Sequence, residues 1–266
     1  MASLKGRVVA VSGAASGIGK ATAKHLYSLG VNLSLTDNRK EALDAAVEEI
    51  KAQPLAEGVT AAGKVYARVT DVRSSAEVNA WIDETVKELG GLDGAANLAG
   101  VVGKHIGKHD VTDLSDEEWA FVNDINLTGV FYAMRAQLRA MKKIGGGTPR
   151  SIVNAASTAG ISGNAKNSSY SAAKHGVVGL TRSAAKEVGR DNIRVNCVAP
   201  GVIDTPMVQT LFKELADGID KIVQEGQALG RRANPTEVGK TITFLLGDDS
   251  SFMTGSVVQV DGGEKC

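Results

Sequence analysis

Short apolar runs alternate with longer amphipathic stretches along the whole chain. The runs are RVVAVS (7–12), VNLSLT (31–36), VYARVT (65–70), LDGAANLAG (92–100), SIVNAAS (151–157), IRVNCVAP (193–200) and SVVQV (256–260). Most are rich in β-branched residues and all are short, which predicts strands. Between them, KATAKHLYSLG (20–30), EALDAAVEEIKA (41–52), SAEVNAWIDETVKEL (75–89), a long pattern from about Asp116 to Lys143, SYSAAKHGVVGLTRSAAKEVG (169–189) and PTEVGKTITFLL (235–246) return apolar residues every three or four positions. That period predicts helices. Strands alternating with helices build a parallel sheet covered on both faces. Seven strands fit one doubly wound α/β domain, and no repeat or linker marks a second. Residues 200–235 form the longest stretch without a strand candidate. They follow a strand's carboxyl end, where a substrate lid is expected.

Composition narrows the classes. The chain has 266 residues and zero formal net charge, with no run of like charges, so nothing points to nucleic acid or a membrane surface. No window of about 18 apolar residues is present. The two cysteines, Cys197 and Cys266, lie far apart and outside any cysteine- or histidine-rich cluster, so no metal site and a reducing, cytoplasmic setting are expected. The histidines His105 and His109 sit among lysines and a glycine, as in a solvated loop.

The first strand runs into SGAASGIG (12–19). Gly13, Gly17 and Gly19, with Ser16 and Ile18 between, would let the backbone approach a pyrophosphate at the start of a helix near Lys20. The second strand ends in Asp37, 18 residues after Gly19 and beside Asn38. A carboxylate there reaches the hydroxyls of an adenosine ribose and repels a 2′-phosphate. Arg39 is the nearby cation that would tolerate NADP; NAD is the expected cofactor.

SSYSAAKHG (168–176) places Tyr170 one helical turn before Lys174. A free tyrosine is a poor base at neutral pH, and an ammonium one turn away favours its phenolate. Ser157 ends the fifth run, where its hydroxyl could bond a substrate oxygen. Together, SGAASGIG, NLAG (97–100), Ser157, Tyr170–Lys174 and PG (200–201) resemble the short-chain dehydrogenase/reductase family over essentially the whole chain. Ser12 replaces the family's usual Thr, and Leu98 its usual second Asn.

The resemblance implies a Rossmann-type fold, a nicotinamide dinucleotide, a small alcohol or ketone substrate, and a homotetramer or homodimer. It gives Tyr170 the acid/base role and assigns Lys174 to the tyrosine and the nicotinamide ribose. Asn126 becomes a fourth catalytic residue, through its side chain or a local helix irregularity. Asp71 and Val72 are implied at the adenine, and Asn97, Ala99 and Gly100 at the adenosine ribose and diphosphate. Pro200, Gly201, Ile203 and Thr205 are implied at the nicotinamide carboxamide. A non-catalytic dinucleotide binder would need a broken catalytic set, and this set is intact. An NADPH-preferring carbonyl reductase is the nearer alternative. Met207, Leu211, Phe212, Leu215, Val101 and Val102 offer an apolar substrate wall.

Overall fold

All seven expected strands form and lie parallel in one sheet: β1 (Val8–Ser12), β2 (Asn32–Asp37), β3 (Val65–Val69), β4 (Gly94–Asn97), β5 (Arg150–Ala155), β6 (Ile193–Pro200) and β7 (Val257–Val260). The computed structural model describes residues 4–213 and 219–266, the side chains of 211–213 and 219–222 excepted. Strand order is β3-β2-β1-β4-β5-β6-β7. The chain thus starts in the middle, steps outward to β3, and crosses back to lay β4 on the other side of β1. Parallel strands need crossovers, and the crossover helices bury both faces of the sheet. β1 is accordingly buried at every position.

The helices are α1 (Gly17–Ser28), α2 (Lys40–Lys51), α3 (Ser75–Leu89), α4 (Asp116–Asn123), α5 (Gly129–Ile144), α6 (Ser168–Val188), α7 (Pro206–Lys213), α8 (Ile219–Gly226) and α9 (Pro235–Leu246). Strand side chains alternate between two cores. On one face Val9, Val11, Leu33 and Leu35 meet Leu26 of α1, Leu43 and Ile50 of α2, and Ile242 and Leu245 of α9. On the other, Ala10, Ala95, Ile152 and Val195 meet Trp81 and Ile82 of α3, Ala133 and Met141 of α5, and Val188 of α6.

Local chemistry sets the helix ends. Ser74 caps α3 by accepting from the Glu77 amide, and Gly90 ends it in the left-handed conformation at φ 82°. Asn234 and Glu237 form a capping box on α9, with Pro235 in its first turn. The long helical pattern from Asp116 forms one unbroken helical run to Ile144, but not a regular one. A π-helical turn, Asp124–Thr128, separates α4 from α5.

Candidate active site

The order of the sheet reverses between β1 and β4, so the loops leaving their carboxyl ends diverge and open a crevice. The crevice holds a cavity of about 1150 Å³. That exceeds the roughly 300–1,000 Å³ of a single small-molecule site, leaving room for a dinucleotide and a second molecule.

Steric limits fix the β1–α1 turn. Gly13 has φ +69°, and a Cβ on it would lie 2.9 Å from Ala99 Cα; one on Gly19 would lie 2.0 Å from the Gly13 carbonyl oxygen. Side chains are therefore excluded where the turn meets the β4 loop and where α1 leaves it. The Ser12 hydroxyl accepts from the Leu98 and Ala99 amides at 3.1 and 3.2 Å, tying that loop to β1. The helix starts at Gly17, earlier than expected, so its free amides lie within the glycine turn.

Asp37 closes one end of the cavity. Its carboxylate is buried and accepts from the Ala15 amide and from Arg39 Nε, at 3.3 and 3.1 Å. The Arg39 guanidinium also donates to Ser16 Oγ at 3.1 Å. Asp71 lines the same end, but its carboxylate is taken by Arg73, which holds it below the usual carboxylate range.

At the other end Ser157 caps the 3-10 turn Thr158–Gly160, and its hydroxyl acts on the Tyr170 phenol. Lys174 is buried; its ammonium donates to the Ala155 carbonyl at 2.8 Å and lies 5.5 Å from the Tyr170 ring centroid. The lysine by itself does not make the phenol acidic. Burial raises the Tyr170 pKa, and the nearby Ser157 hydroxyl offsets this only in part. Burial also pulls Lys174 down from 10.5 to about 8. Both shifts follow from the cost of charge in a dry site.

Of the residues expected at the cofactor and substrate, Gly13, Ser16, Gly17, Ile18, Gly19, Asp37, Asn38, Asp71, Val72, Ala99, Gly100, Asn126, Ser157, Tyr170, Lys174, Pro200, Gly201, Ile203 and Thr205 all line this cavity. Asn97 does not. The two-residue period of β4 turns it to the side of Ala95, where its amide bonds Gln137 and Asn154 at 3.0 and 2.9 Å. Asn126 lines the cavity from the π turn, yet its side chain bonds neither Lys174 nor Tyr170. Its amide donates to the Val122 and Val101 carbonyls and its oxygen accepts from the Val101 amide. Ile203 forms a bridge to Ala233 through Val202 and Asp204, so its own amide and carbonyl take no part in it.

Val101, Val102 and Met207, expected as part of an apolar substrate wall, line the cavity. The side chains of Leu211, Phe212 and Leu215 lie outside the described residues. Gly103, Lys104, Ile106, Gly107 and Lys108 line it too; their segment is aperiodic, and its only sequence signal was its pair of glycines. His105 and His109 are not simply solvated: their rings stack at 4.1 Å, and His105 contacts the Glu118 carboxylate. His175 turns back to the Ser171 carbonyl at 2.9 Å. Among the described residues no histidine, cysteine and carboxylate cluster could hold a metal.

The burial of Lys174 has a measurable consequence. Between pH 8 and about 10, the folded chain has lost a proton that the unfolded lysine keeps, so stability rises with pH. Tyr170 acts oppositely, but only above about pH 10, its unfolded value. Urea unfolding is therefore expected to show wild type gaining on Lys174→Met across that window, by at most about 2–3 kcal/mol. A difference independent of pH would refute the buried-ammonium account.

Comparison with known proteins places this geometry in a family. A family model described as enoyl-(acyl carrier protein) reductase matches residues 13–265. The chain is 43% identical over 266 residues to the short-chain dehydrogenase/reductase aba4 of Botryotinia fuckeliana (strain B05.10), covering 98% of this chain and 97% of that protein. It is 38% identical to levodione reductase of Leifsonia aquatica (97% and 94% covered). It is 37% identical to a 2,5-dichloro-2,5-cyclohexadiene-1,4-diol dehydrogenase of Sphingobium indicum (strain DSM 16412 / CCM 7286 / MTCC 6364 / B90A), with 99% and 98% covered. The crystal structure of levodione reductase superposes with a TM-score of 0.89 at 37% identity, covering 98% of each chain. An actinorhodin polyketide ketoreductase with NADPH does so at 0.86 and 33%, covering 97% of each. The chain belongs to the short-chain dehydrogenase/reductase family of oxidoreductases.

Proposed function

We propose that the protein interconverts a secondary alcohol and a ketone with NAD(H) as cofactor, with residues 200–235 acting as a substrate lid. One observation carries this reading: Ser157, Tyr170 and Lys174 meet at one end of a cleft whose other end is the glycine turn and the buried Asp37. The names of relatives support it, since one is a reductase of a dione and another a dehydrogenase of a cyclic diol.

The residues present fit a dinucleotide. The side-chain-free glycine turn and the first, free amides of α1 line the cleft where a diphosphate would lie, and Asp37 faces the cleft from the end of β2. The bound nicotinamide supplies or takes the hydride. Ser157 donates its hydroxyl proton as a hydrogen bond to the substrate oxygen and holds that oxygen beside Tyr170. Tyr170 takes the alcohol proton on oxidation and returns one to the ketone oxygen on reduction. Lys174 holds a positive charge near the phenol, and its tie to Ala155 fixes it against β5. Asn126 acts by fastening the Val101 backbone to the π turn.

Arg39 favours a second reading. Its guanidinium already spans Asp37 and Ser16, where a 2′-phosphate would meet it, and a structural neighbour carries NADPH. The Asp37 carboxylate supports NAD instead, because it is buried and would repel a 2′-phosphate at close range.

Tyr170→Phe is expected to lower kcat at least a hundredfold while leaving NADH affinity within about twofold; retained turnover would remove Tyr170 from its role. Wild-type kcat/KM is expected to favour NAD over NADP, and Asp37→Ser to cut that preference at least tenfold by removing about 1.4 kcal/mol of repulsion. An initial preference for NADP would overturn the Asp37 argument. Trp119 and Phe121 of α4 and Phe131 of α5 are exposed, as a dimer or tetramer contact would leave them in one subunit. Light scattering should find a homodimer or homotetramer that Phe131→Asp dissociates; a wild-type monomer would refute this.

A further inference from the structure

Residues 101–109, after β4, form one wall of the cleft, with Val101, Val102 and Ile106 among the residues that line it. Both ends of this wall lie beside the reactive side chains. A Cβ on Gly100, just before it, would stand 3.6 Å from Lys174 Nζ. Near its far end the Gly107 amide donates at 2.9 Å to the carbonyl of Lys166, which stands shortly before Tyr170 in the chain.

An aperiodic segment with glycines at 103 and 107 pays a high ordering cost and needs outside support to keep one shape. Two side chains from the helical run Asp116–Ile144 supply it. Asn126 takes Val101, accepting from its amide and donating to its carbonyl at 3.1 and 2.9 Å. Glu118 takes His105: its carboxylate accepts from the His105 amide at 3.1 Å and contacts the ring Nδ1. That ring stacks on His109 at 4.1 Å, and the Lys108 and His109 amides donate to the His105 carbonyl. A hold on His105 therefore extends to the whole turn.

The role that local sequence offers Glu118 is a different one. Ser115 caps α4, and a glutamate three residues after such a cap ordinarily bonds back to the cap's own amide. Glu118 gives its carboxylate to the wall instead, from a side chain only 9% exposed. Burial pushes its carboxyl up, but the His105 amide and ring outweigh this and hold it below the usual carboxylate range. Gly103 makes the room. A Cβ there would lie 2.1 Å from Glu118 Oε1, and its three nearest atoms would all belong to Glu118. Glycine at 103 and glutamate at 118 thus work as one device.

Building on the alcohol–ketone reading above, we propose that Glu118 is a positioning residue for the substrate: by fastening the 101–109 wall it fixes the surface against which an apolar ketone or alcohol is bound. The wall's ordering cost is then met before the substrate arrives. Ser157 follows β5 and Tyr170 and Lys174 ride on α6, and the Glu118 bonds reach none of them. Loosening the wall accordingly weakens substrate binding and spares the proton and hydride steps.

The test follows reduction of 4-methylcyclohexanone and 2-octanone at the reduced-nicotinamide absorbance, with saturating NADH. Glu118→Ala is expected to raise KM about tenfold and to leave kcat and NADH affinity within about twofold, the pattern of lost binding. Hydrogen exchange of the amides from His105 to His109 should quicken in the same variant. Glu118→Gln, whose amide still accepts from the His105 N–H and donates to a neutral ring, should keep KM within about threefold of wild type. Gly103→Ala should reproduce the KM rise by displacing the carboxylate. On top of Glu118→Ala it should add no more than about twofold, because the atoms it meets are then gone. Unchanged exchange, or faster exchange with unchanged KM, would overturn the inference. So would a fall in kcat at constant KM, a loss of NADH affinity, a glutamine variant as impaired as alanine, or costs at 103 and 118 that simply add. If wild type reduces neither ketone, the alcohol–ketone reading fails and the positioning role with it; turnover with a KM indifferent to Glu118 strikes at the positioning role alone.

Discussion

The close approach of the β1–α1 turn to the β4 loop is the constraint on which the rest of the site depends. Gly13 packs its bare backbone against Ala99, and Ser12 donates no side-chain bulk but accepts two amides of the same loop. The contact pins the two loops together at their base, where β1 and β4 run side by side in register from Val9 and Gly94. Only above that pin can they diverge. The two loops above it are therefore two exits from one clamp, and bulk added at Gly13 would disturb both.

A buried polar network stiffens the floor beneath this clamp. Asn97 exchanges two hydrogen bonds with Gln137 of α5 and one with Asn154 of β5, and Asn154 continues to Thr181 of α6 at 3.0 Å. Polar groups in a core are costly unless every one finds a partner. Satisfied as they are here, they fix α5 and α6 against adjacent strands with a geometry that interchangeable aliphatic contacts would not specify. Tyr170 and Lys174 ride on α6, and Ser157 follows β5. The network thus transmits the spacing of the sheet to the reactive hydroxyls.

Much of this was legible in the sequence because local signals agreed with the global fold. α3 and α9 begin and end where their periodic patterns do, since Ser74, Gly90, Pro235 and the Asn234–Glu237 pair punctuate them chemically. β6 likewise coincides with its apolar run. The glycine turn, Asp37 and Ser157 are short-range patterns at strand ends and the Tyr170–Lys174 pair is one within α6, and all of them line one cleft. Three features were not legible, each for a physical reason. The direction of Asn97 depends on which face α5 covers, a long-range fact. The balance at Tyr170 depends on how dry the site is, which spacing does not encode. The 101–109 wall has no period, and its shape comes from Glu118 and Lys166, contributed by distant segments.

The π turn between α4 and α5 has a consequence for how this segment tolerates change in length. A π turn takes about one residue more than regular α-helix to advance the chain by a turn, so the faces before and after it are offset by about 100°. That offset lets Asn126 look into the cleft while Val130, Ala133, Met134 and Gln137 look into the sheet. Deleting a single residue from Asp124–Thr128 would leave a straighter and intrinsically better helix, yet it would swing one of these faces to the wrong side. The segment trades helical regularity for two correct orientations, and its residue count matters more than the identity of most residues within it.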